Sequence, residues 1–412
     1  MDPFLIIADD FTGALDTGVQ FASAGMRVLV SMNTDHEFEN VKGQAEVVVL
    51  DAETRHLPCG EAGERVKRIV EKAKNVGIQK IMKKTDSALR GNIGAELTAL
   101  LDESGRNVLH FFPAFPDMNR TTKGGVQYVD GIPVCESVFG KDPFEPVRHS
   151  SVADIIHEQS DTEVVIISDG NLLMHSSRPV IAVYDTCDKE ELERYAEQLI
   201  RNDEFYCIAG CAGLAKALNA QIGAAGQNKD FSVSDGDLLV ICGSVNPVTV
   251  RQLDFAERHG FRRIRLTMEQ KMDADYFGSP AGKKVIEEWA GLCRESGNII
   301  FDTNDIPGGP RTLDIAAEAG MTREDLRISV SKTLGMLAKG LLDEGIEKTL
   351  FITGGDTLIE CLSSLSADSL FPIGEVAPGS VMSKINYNGR DHTMITKSGG
   401  FGDEDLLVKL LK

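Results

Sequence analysis

The stretch KKTDSALRGN, Lys83 to Asn92, sets two lysines, an aspartate, a serine and an arginine where the apolar run IQKIMK should pass into a helix. That density of charge and hydroxyl suits a small, hydroxylated anion. Three further loops in the first half share this chemistry. ADDFTGALDTG follows the run FLII and delivers Asp9 and Asp10, with Gly13 keeping the backbone accessible. Paired carboxylates there can bind sugar hydroxyls, hold a cation or accept a proton. DAETRH offers Arg55, whose planar fork suits a carboxylate better than a lysine would. PAFPDMNRTTKGG, Pro113 to Gly125, stiffens a basic segment containing Arg120 with prolines, and is expected to be a rigid loop that makes preorganised anion contacts. Each of these also has a plain explanation, since Asp, Ser and Thr cap helices and basic loops decorate surfaces. Their convergence on one chemistry is what carries weight.

The second half carries glycines instead. CGSVNP, GGDT and KSGGFG each follow a strand-like run, and glycines let backbone N–H groups close on phosphate oxygens, with a helix N-terminus adding partial positive charge. GGDT is the sharpest of these, Gly354 and Gly355 forming a cradle while Asp356 and Thr357 open the helix LIECLSSL; a tight turn with an Asp or Thr cap is the alternative. No GxxxxGK[ST] and no GxGxxG after a strand is present, which excludes a P-loop enzyme and disfavours a nicotinamide Rossmann domain. HExxH is also absent, and no histidines have metal-ligand spacing, so metal ligands are not assigned.

These loops must be held by alternating strands and helices. FLIIADD, MRVLVS, EVVVLD, IQKIMK, NVLHFF, EVVIIS, PVIAVY and FYCIAG read as buried strands, with amphipathic segments between them such as Ile93 to Glu103, whose face is Ile93, Leu97, Leu100 and Leu101. Repeated βα units imply a largely parallel sheet. The fold expected is α/β in two domains, the first three-layered over residues 1–225. The second, over 236–412, should have a mixed sheet ending in a hairpin on Asn388-Gly389, the linker being about 226–235. Thr322 with Asp325 marks a capping box ahead of a stripe of Leu326, Val330, Leu334, Leu337 and Leu341. With 43 basic and 63 acidic residues the net charge is −20, which disfavours nucleic acid and anionic membrane as partners and requires any anion site to be locally basic. No apolar run reaches the roughly 20 residues of a membrane span, and MDPFLIIADD lacks a basic leader, so a cytoplasmic protein is expected. The eight cysteines, without CxxC pairs, are expected to be reduced core thiols.

In this order, ADDFTGALDTGVQ, KKTDSALRGNIGAEL, PAFPDMNRTTKGG with VDGIPVCES and DPFEP, CGSVNPVTVRQL, ITGGDT and KSGGFG resemble the four-carbon acid-sugar kinase family over nearly the whole chain. The resemblance implies an N-terminal acid-sugar-binding domain and a C-terminal nucleotide-binding domain. Its partners would be a small sugar acid and ATP, with Mg²⁺ as cofactor and the 4-hydroxyl as acceptor. The opening is more similar to the D-threonate branch than to the oxo-tetronate branch, with D-erythronate and 3-oxo-tetronate as alternatives. Carried over, Asp10, Arg55, Lys84, Thr85, Asp86, Ser87, Arg90 and Arg120 become the substrate set. Ser244, Gly354, Gly355, Asp356, Thr357, Lys397, Gly399 and Gly400 become the nucleotide set, with Asp356 and Asp10 the candidate catalytic carboxylates. Arg55 and Lys84 are expected on the substrate carboxylate, Asp10 and Asp86 on its hydroxyls. Closure about the linker is expected on ligand binding, and a homodimer is left open. The insert IPGGPRTL carries no recognised motif. Rival classes are a non-catalytic sugar-acid sensor and a metal-dependent aldolase or dehydratase; the glycine loops weigh against the first.

Overall fold

The structure, a computed structural model, describes residues 3–34, 38, 43–142, 145–222, 237–397 and 399–411. The chain divides into two compact units, Met1–Asn228 and Lys229–Lys412. The linker expected at 226–235 lies outside the described residues.

In the first unit β1 (Phe4–Ala8), α1 (Phe11–Ser23), β2 (Val28–Ser31), β3 (Val47–Asp51), α2 (Cys59–Asn75), β4 (Ile81–Lys84), α3 (Ile93–Ser104) and β5 (Val108–Phe112) come first. Then follow β6 (Arg120–Lys123), β7 (Val126–Val129), β8 (Ile132–Pro133), α4 (Val152–His157), β9 (Glu163–Ile167), β10 (Val180–Tyr184), α5 (Lys189–Arg201), β11 (Ile208–Gly210) and α6 (Ala212–Ile222). The main sheet runs β2-β3-β1-β4-β11-β5-β10-β9 and every pairing in it is parallel. Strands buried on both faces explain why these runs read as continuous Val, Ile and Leu without alternation. Helix α1 packs with α6, and α6 with α5, while α2, α3 and α4 pack in series. The second group covers Leu5, Ile7, Val48 and Leu50 with Val66, Ile69, Leu97 and Leu100, giving the three layers.

One expectation is corrected. The segment from Arg120, taken as part of a rigid loop, instead forms an antiparallel three-stranded sheet, β6-β7-β8. Its two-residue turns are Gly124-Gly125 (φ 59 and 71) and Asp130-Gly131 (φ 51 and 77), and positive φ at both centres is the hairpin geometry that follows the strands' right-handed twist. The cysteines also divide: Cys207, Cys211, Cys242, Cys293 and Cys361 are buried, whereas Cys59 and Cys187 are exposed rather than in the core; all eight are free thiols.

The second unit comprises β12 (Leu238–Cys242), α7 (Pro247–Arg258), β13 (Arg262–Arg265), α8 (Met268–Met272), α9 (Pro280–Glu295), β14 (Ile299–Asp302), α10 (Thr312–Glu318) and α11 (Arg323–Asp343). Then come β15 (Thr349–Thr353), α12 (Gly355–Ser364), β16 (Ser369–Ala377), β17 (Ser380–Tyr387), β18 (Arg390–Lys397) and α13 (Leu406–Lys409). Its strands run β13-β14-β12-β15-β18-β17-β16, parallel as far as β18 and antiparallel beyond. The hairpin turns at Asn388 (φ 51) and Gly389 (φ 76). Helix α11 starts on the Thr322–Asp325 capping box; Leu326, Leu334, Leu337 and Leu341 are buried and Val330 is half-buried. No helix among the described residues is long and apolar enough to cross a membrane.

Candidate functional site

In the first unit Ala8 lies level with Asp51 on one side and with Lys84 on the other, and Lys84 with Gly210. The chain leaves β1 for β2 and β3 on one flank and returns to β4 on the other, so β1/β4 is the switch point of the sheet. A crevice opens outside the carboxyl ends of the strands at such a point. Asp9 and Asp10 extend β1 into it, Arg55 comes from the loop after β3, and Lys84 ends β4.

Asp9 is almost fully buried, and each of its oxygens is taken. Oδ2 accepts from Arg55 Nε at 2.8 Å and lies 2.7 Å from Nη2, while Oδ1 accepts from Lys84 Nζ at 3.1 Å. Asp10 repeats the pattern one residue on, accepting from Arg55 Nη1 at 2.8 Å and Lys84 Nζ at 3.1 Å. It also caps α1 by accepting from the Gly13 amide, so both readings of this aspartate hold. Asp86 takes Arg90 in a two-pronged pair, Nε to Oδ2 at 3.0 Å and Nη2 to Oδ1 at 3.0 Å. Burial pushes the Asp9 carboxyl up, but Lys84 and Arg55 outweigh it and hold the group far below the usual carboxylate range. Asp86, likewise opposed by burial, is held at about 2 by Arg90 and Arg55. The cluster is a closed lattice of charges, because unpaired ions could not be kept in so little water.

Glycines make the close approach possible. A Cβ at Gly13 would collide with the Lys84 ammonium and the Asp10 carboxylate, and one at Gly91 (φ +86) would lie 3.1 Å from Arg55 Cγ. Asn92 Nδ2 donates to Thr54 O at 2.8 Å and Leu57 O at 2.9 Å, fixing the loop that carries Arg55. Lys83 points the other way, as strand alternation requires, into a buried pair with Glu96 at 3.0 Å.

Arg120, on β6, differs from the other cations. Its Nη1 donates to Ser87 Oγ and its guanidinium lies over the Phe139 ring at 5.1 Å, which Arg90 shares at 5.2 Å. Among the described residues it forms no ion pair, and its buried Nε has no hydrogen-bond partner. Thr85 Oγ1, two residues before Ser87 in the chain, is likewise buried without a partner among the described residues. Ser87 O accepts from Gln127 Nε2 at 3.0 Å, which ties the β6–β7 hairpin to the site.

In the second unit Cys242, Thr353 and Lys397 stand level at the carboxyl ends of the adjacent parallel strands β12, β15 and β18. Here β13 and β14 fall on one side of β12 and β15 on the other, making β12/β15 the switch point. The sequence-predicted loops follow these ends. Gly354 takes φ +116 at the N-cap of α12 with no side-chain cap, leaving the amides of Gly355, Asp356 and Thr357 aimed out of the helix. Such an N-terminus attracts anions. A Cβ at Gly243 would run into Thr357 Oγ1, so the two loops close only over glycine.

Thr249 joins the third loop. Its hydroxyl donates to Gly399 O at 2.9 Å and accepts from Ser244 Oγ at 3.3 Å and Lys397 Nζ at 3.2 Å. Lys397 also donates to Gly399 O at 3.2 Å, and burial lowers its ammonium to about 8. Gly400 is exposed at the rim. Asp356 is half-exposed and pairs with Arg327 of α11 at 2.5 Å.

Within each unit, then, the predicted residues come together. Sequence reasoning paired Asp9 with Asp10 but left it out of the site set, and missed the roles of Asn92, Gln127 and Thr249. Asp9 stood beside a chosen residue, and alternation along β1 would have placed the two aspartates on different sides; the other three act through long-range partners that leave no local pattern.

Residues 4–218 match the model of a sugar-binding N-terminal domain and residues 239–407 that of a nucleotide-binding C-terminal domain. The chain is 29% identical to a D-threonate kinase of Salmonella typhimurium, covering 99% of this chain and 97% of the relative. It is 25% identical to a D-erythronate kinase of Heliobacterium modesticaldum (98% and 95%) and 25% to a 3-oxo-tetronate kinase of Pseudomonas fluorescens (98% and 95%). Among solved structures, a Haemophilus influenzae protein shares the fold with a TM-score of 0.78 at 22% identity, covering 99% of both chains.

Proposed function

The chain belongs to the four-carbon acid-sugar kinase family, and on that premise we propose that it transfers the terminal phosphoryl group of ATP to the 4-hydroxyl of a four-carbon sugar acid, D-threonate in the first instance. The observation that carries the reading is the pairing on one chain of a charge-lined, hydroxyl-bearing switch point in the sugar-binding domain with an uncapped glycine turn at the switch point of the nucleotide-binding domain.

The sequence led us to expect Arg55 and Lys84 on the substrate carboxylate. Both are already neutralised by Asp9 and Asp10, and a third carboxylate there would meet two cations whose charge two anions already balance. Arg120 has no such partner among the described residues, and we assign the carboxylate to it, with Ser87 beside it and the unpartnered hydroxyl of Thr85 on the same loop. Of the three site aspartates, Asp10 has the most exposed side chain, 26% against 3% for Asp9 and 9% for Asp86. That exposure supports assigning to it the hydrogen bond from the attacking hydroxyl, with Arg55 and Lys84 fixing its direction. Phosphoryl transfer depends mostly on positioning and charge neutralisation, which is what this lattice and the amides of Gly355, Asp356 and Thr357 can supply.

Mg²⁺ keeps several waters and is commonly bound through substrate phosphates with one or two carboxylates. Among the described residues no group of three or more His, Cys, Asp or Glu could hold an ion. The half-exposed Asp356 at the turn fits the single-carboxylate role, and the metal would neutralise phosphate charge when bound with the nucleotide.

The test is coupled ADP release with D-threonate, D-erythronate and 3-oxo-tetronate, with and without Mg²⁺. Turnover with at least one tetronate is expected; none with any would end the kinase reading. In the same assay Arg120→Ala should raise KM for the sugar acid by about 10²-fold and leave KM for ATP in place. Arg120→Lys should recover only part, since a point charge cannot replace a planar fork.

A further inference from the structure

Beside the phosphate loops, the carboxyl edge of the second sheet carries two exposed aliphatic residues, Val245 and Ile306, that the turns themselves do not use. Strand β14 lies next to β12, and the residues after it fold into a compact excursion. Asp305 closes its base, accepting from the Thr312 amide at 2.9 Å, from the buried Lys271 ammonium at 2.8 Å and from the Thr312 hydroxyl. Within it the Gly309 amide donates to Ile306 O at 2.9 Å, with Pro307 and Gly308 (φ +78) at the central positions. Proline first and a positive φ second make a type II turn, which has little freedom to rearrange. Asn304 Nδ2 donates to Ser244 O at 3.1 Å and so leans the excursion on the loop after β12. On these two adjoining loops stand Val245, 76% exposed, and Ile306, 62% exposed.

Exposed aliphatics are common on a protein surface; these two stand out by their place, Val245 following Ser244 and Ile306 two residues beyond the Asn304 that bonds it. Phosphates bound at Gly354 to Thr357 and Ser244 leave the rest of the nucleotide to extend along the sheet edge. On the β14 side of Ser244, the loops carrying these two residues adjoin through the Asn304–Ser244 bond. We propose that Val245 and Ile306 form the nucleoside wall of the site, the flat face of the purine lying against them while the Asp305–Lys271–Thr312 clasp holds the IPGG turn in place. The assignment rests on the nucleotide reading of the second unit and gives the otherwise motifless insert a binding role.

The experiment compares ATP with inorganic tripolyphosphate, which has the charge but no base, as ligands of the full chain by calorimetry. Ile306→Ser and Val245→Ser should each weaken ATP by about tenfold while tripolyphosphate affinity stays within about twofold, and Ile306→Leu should bind ATP like the parent. KM for the sugar acid should not move. Unchanged ATP affinity in both serine variants, or equal losses for ATP and tripolyphosphate, would overturn the wall and leave the kinase reading standing. A parent protein that binds neither ATP nor tripolyphosphate would instead remove the nucleotide reading, and the wall with it.

Discussion

Asp9 and Lys397 are the residues whose surroundings govern their chemistry most. Asp9 touches two cations and little water, and its hydrogen bonds hold Arg55 and Lys84 in place. Lys397 is the reverse case, an ammonium whose charge is weakened by burial until it titrates at about 8. A polyanionic phosphate favours the protonated form, so ATP affinity should be flat below about pH 8 and fall above it as the neutral amine accumulates. ATP dissociation constants measured between pH 7 and pH 9.5 check this, with Lys397→Met as the control. The variant should bind more weakly at the low end and lose the slope; an identical slope in the variant would assign the titration elsewhere. The residue types were legible in the sequence, because two aspartates after FLII or a lysine before SGGFG can be read directly. Which charge neutralises which was not, and this is why the proposed carboxylate anchor is Arg120 and not Arg55.

Strand ends position both sites. Registers that put Ala8, Asp51 and Lys84 on one line, and Cys242, Thr353 and Lys397 on another, turn six separate loops into two clusters. Glycine permits the last approach between loops, and Gly243→Ala tests it. The added methyl would meet Thr357 Oγ1 in the first turn of α12, costing about 1–3 kcal/mol and weakening ATP without altering KM for the sugar acid. Urea midpoints for Gly243→Ala and for Gly243→Ala/Thr357→Ala should show the second change recovering part of the loss; no recovery would mean the strain lies elsewhere. The long βα elements were visible from continuous apolar runs and helical periodicity, and the Asn388-Gly389 hairpin from its turn residues. The β6–β7–β8 hairpins were hidden although Gly124-Gly125 and Asp130-Gly131 carry the same signal. Strands of two to four residues offer too little alternation to be told from a loop.

The whole molecule is two doubly wound units joined in series, each with its own switch point and its own ligand chemistry. A ligand that binds only the native state stabilises it by about 2.7 kcal/mol at a hundred times its dissociation constant, and hydrogen exchange reads where. ATP should slow exchange at Gly243 to Thr249 and Gly354 to Leu358, and a tetronate at Asp9 to Gly13 and Lys84 to Arg90. Protection by ATP confined to residues 4–218 would reverse the assignment of the two domains. The sequence by itself determined the α/β class, the net charge of −20 that forces any anion site to be local, and the order of the loops that could form one. Tertiary structure decided the partnerships: Arg55 with Asp9 across 46 positions, Lys84 with Asp9 across 75, Thr249 with Gly399 across 150. The physical reason is that apolar periodicity and turn chemistry are local properties of a chain. The neighbours of a charged side chain are set instead by strand order and register, and these exist only once the sheet has formed.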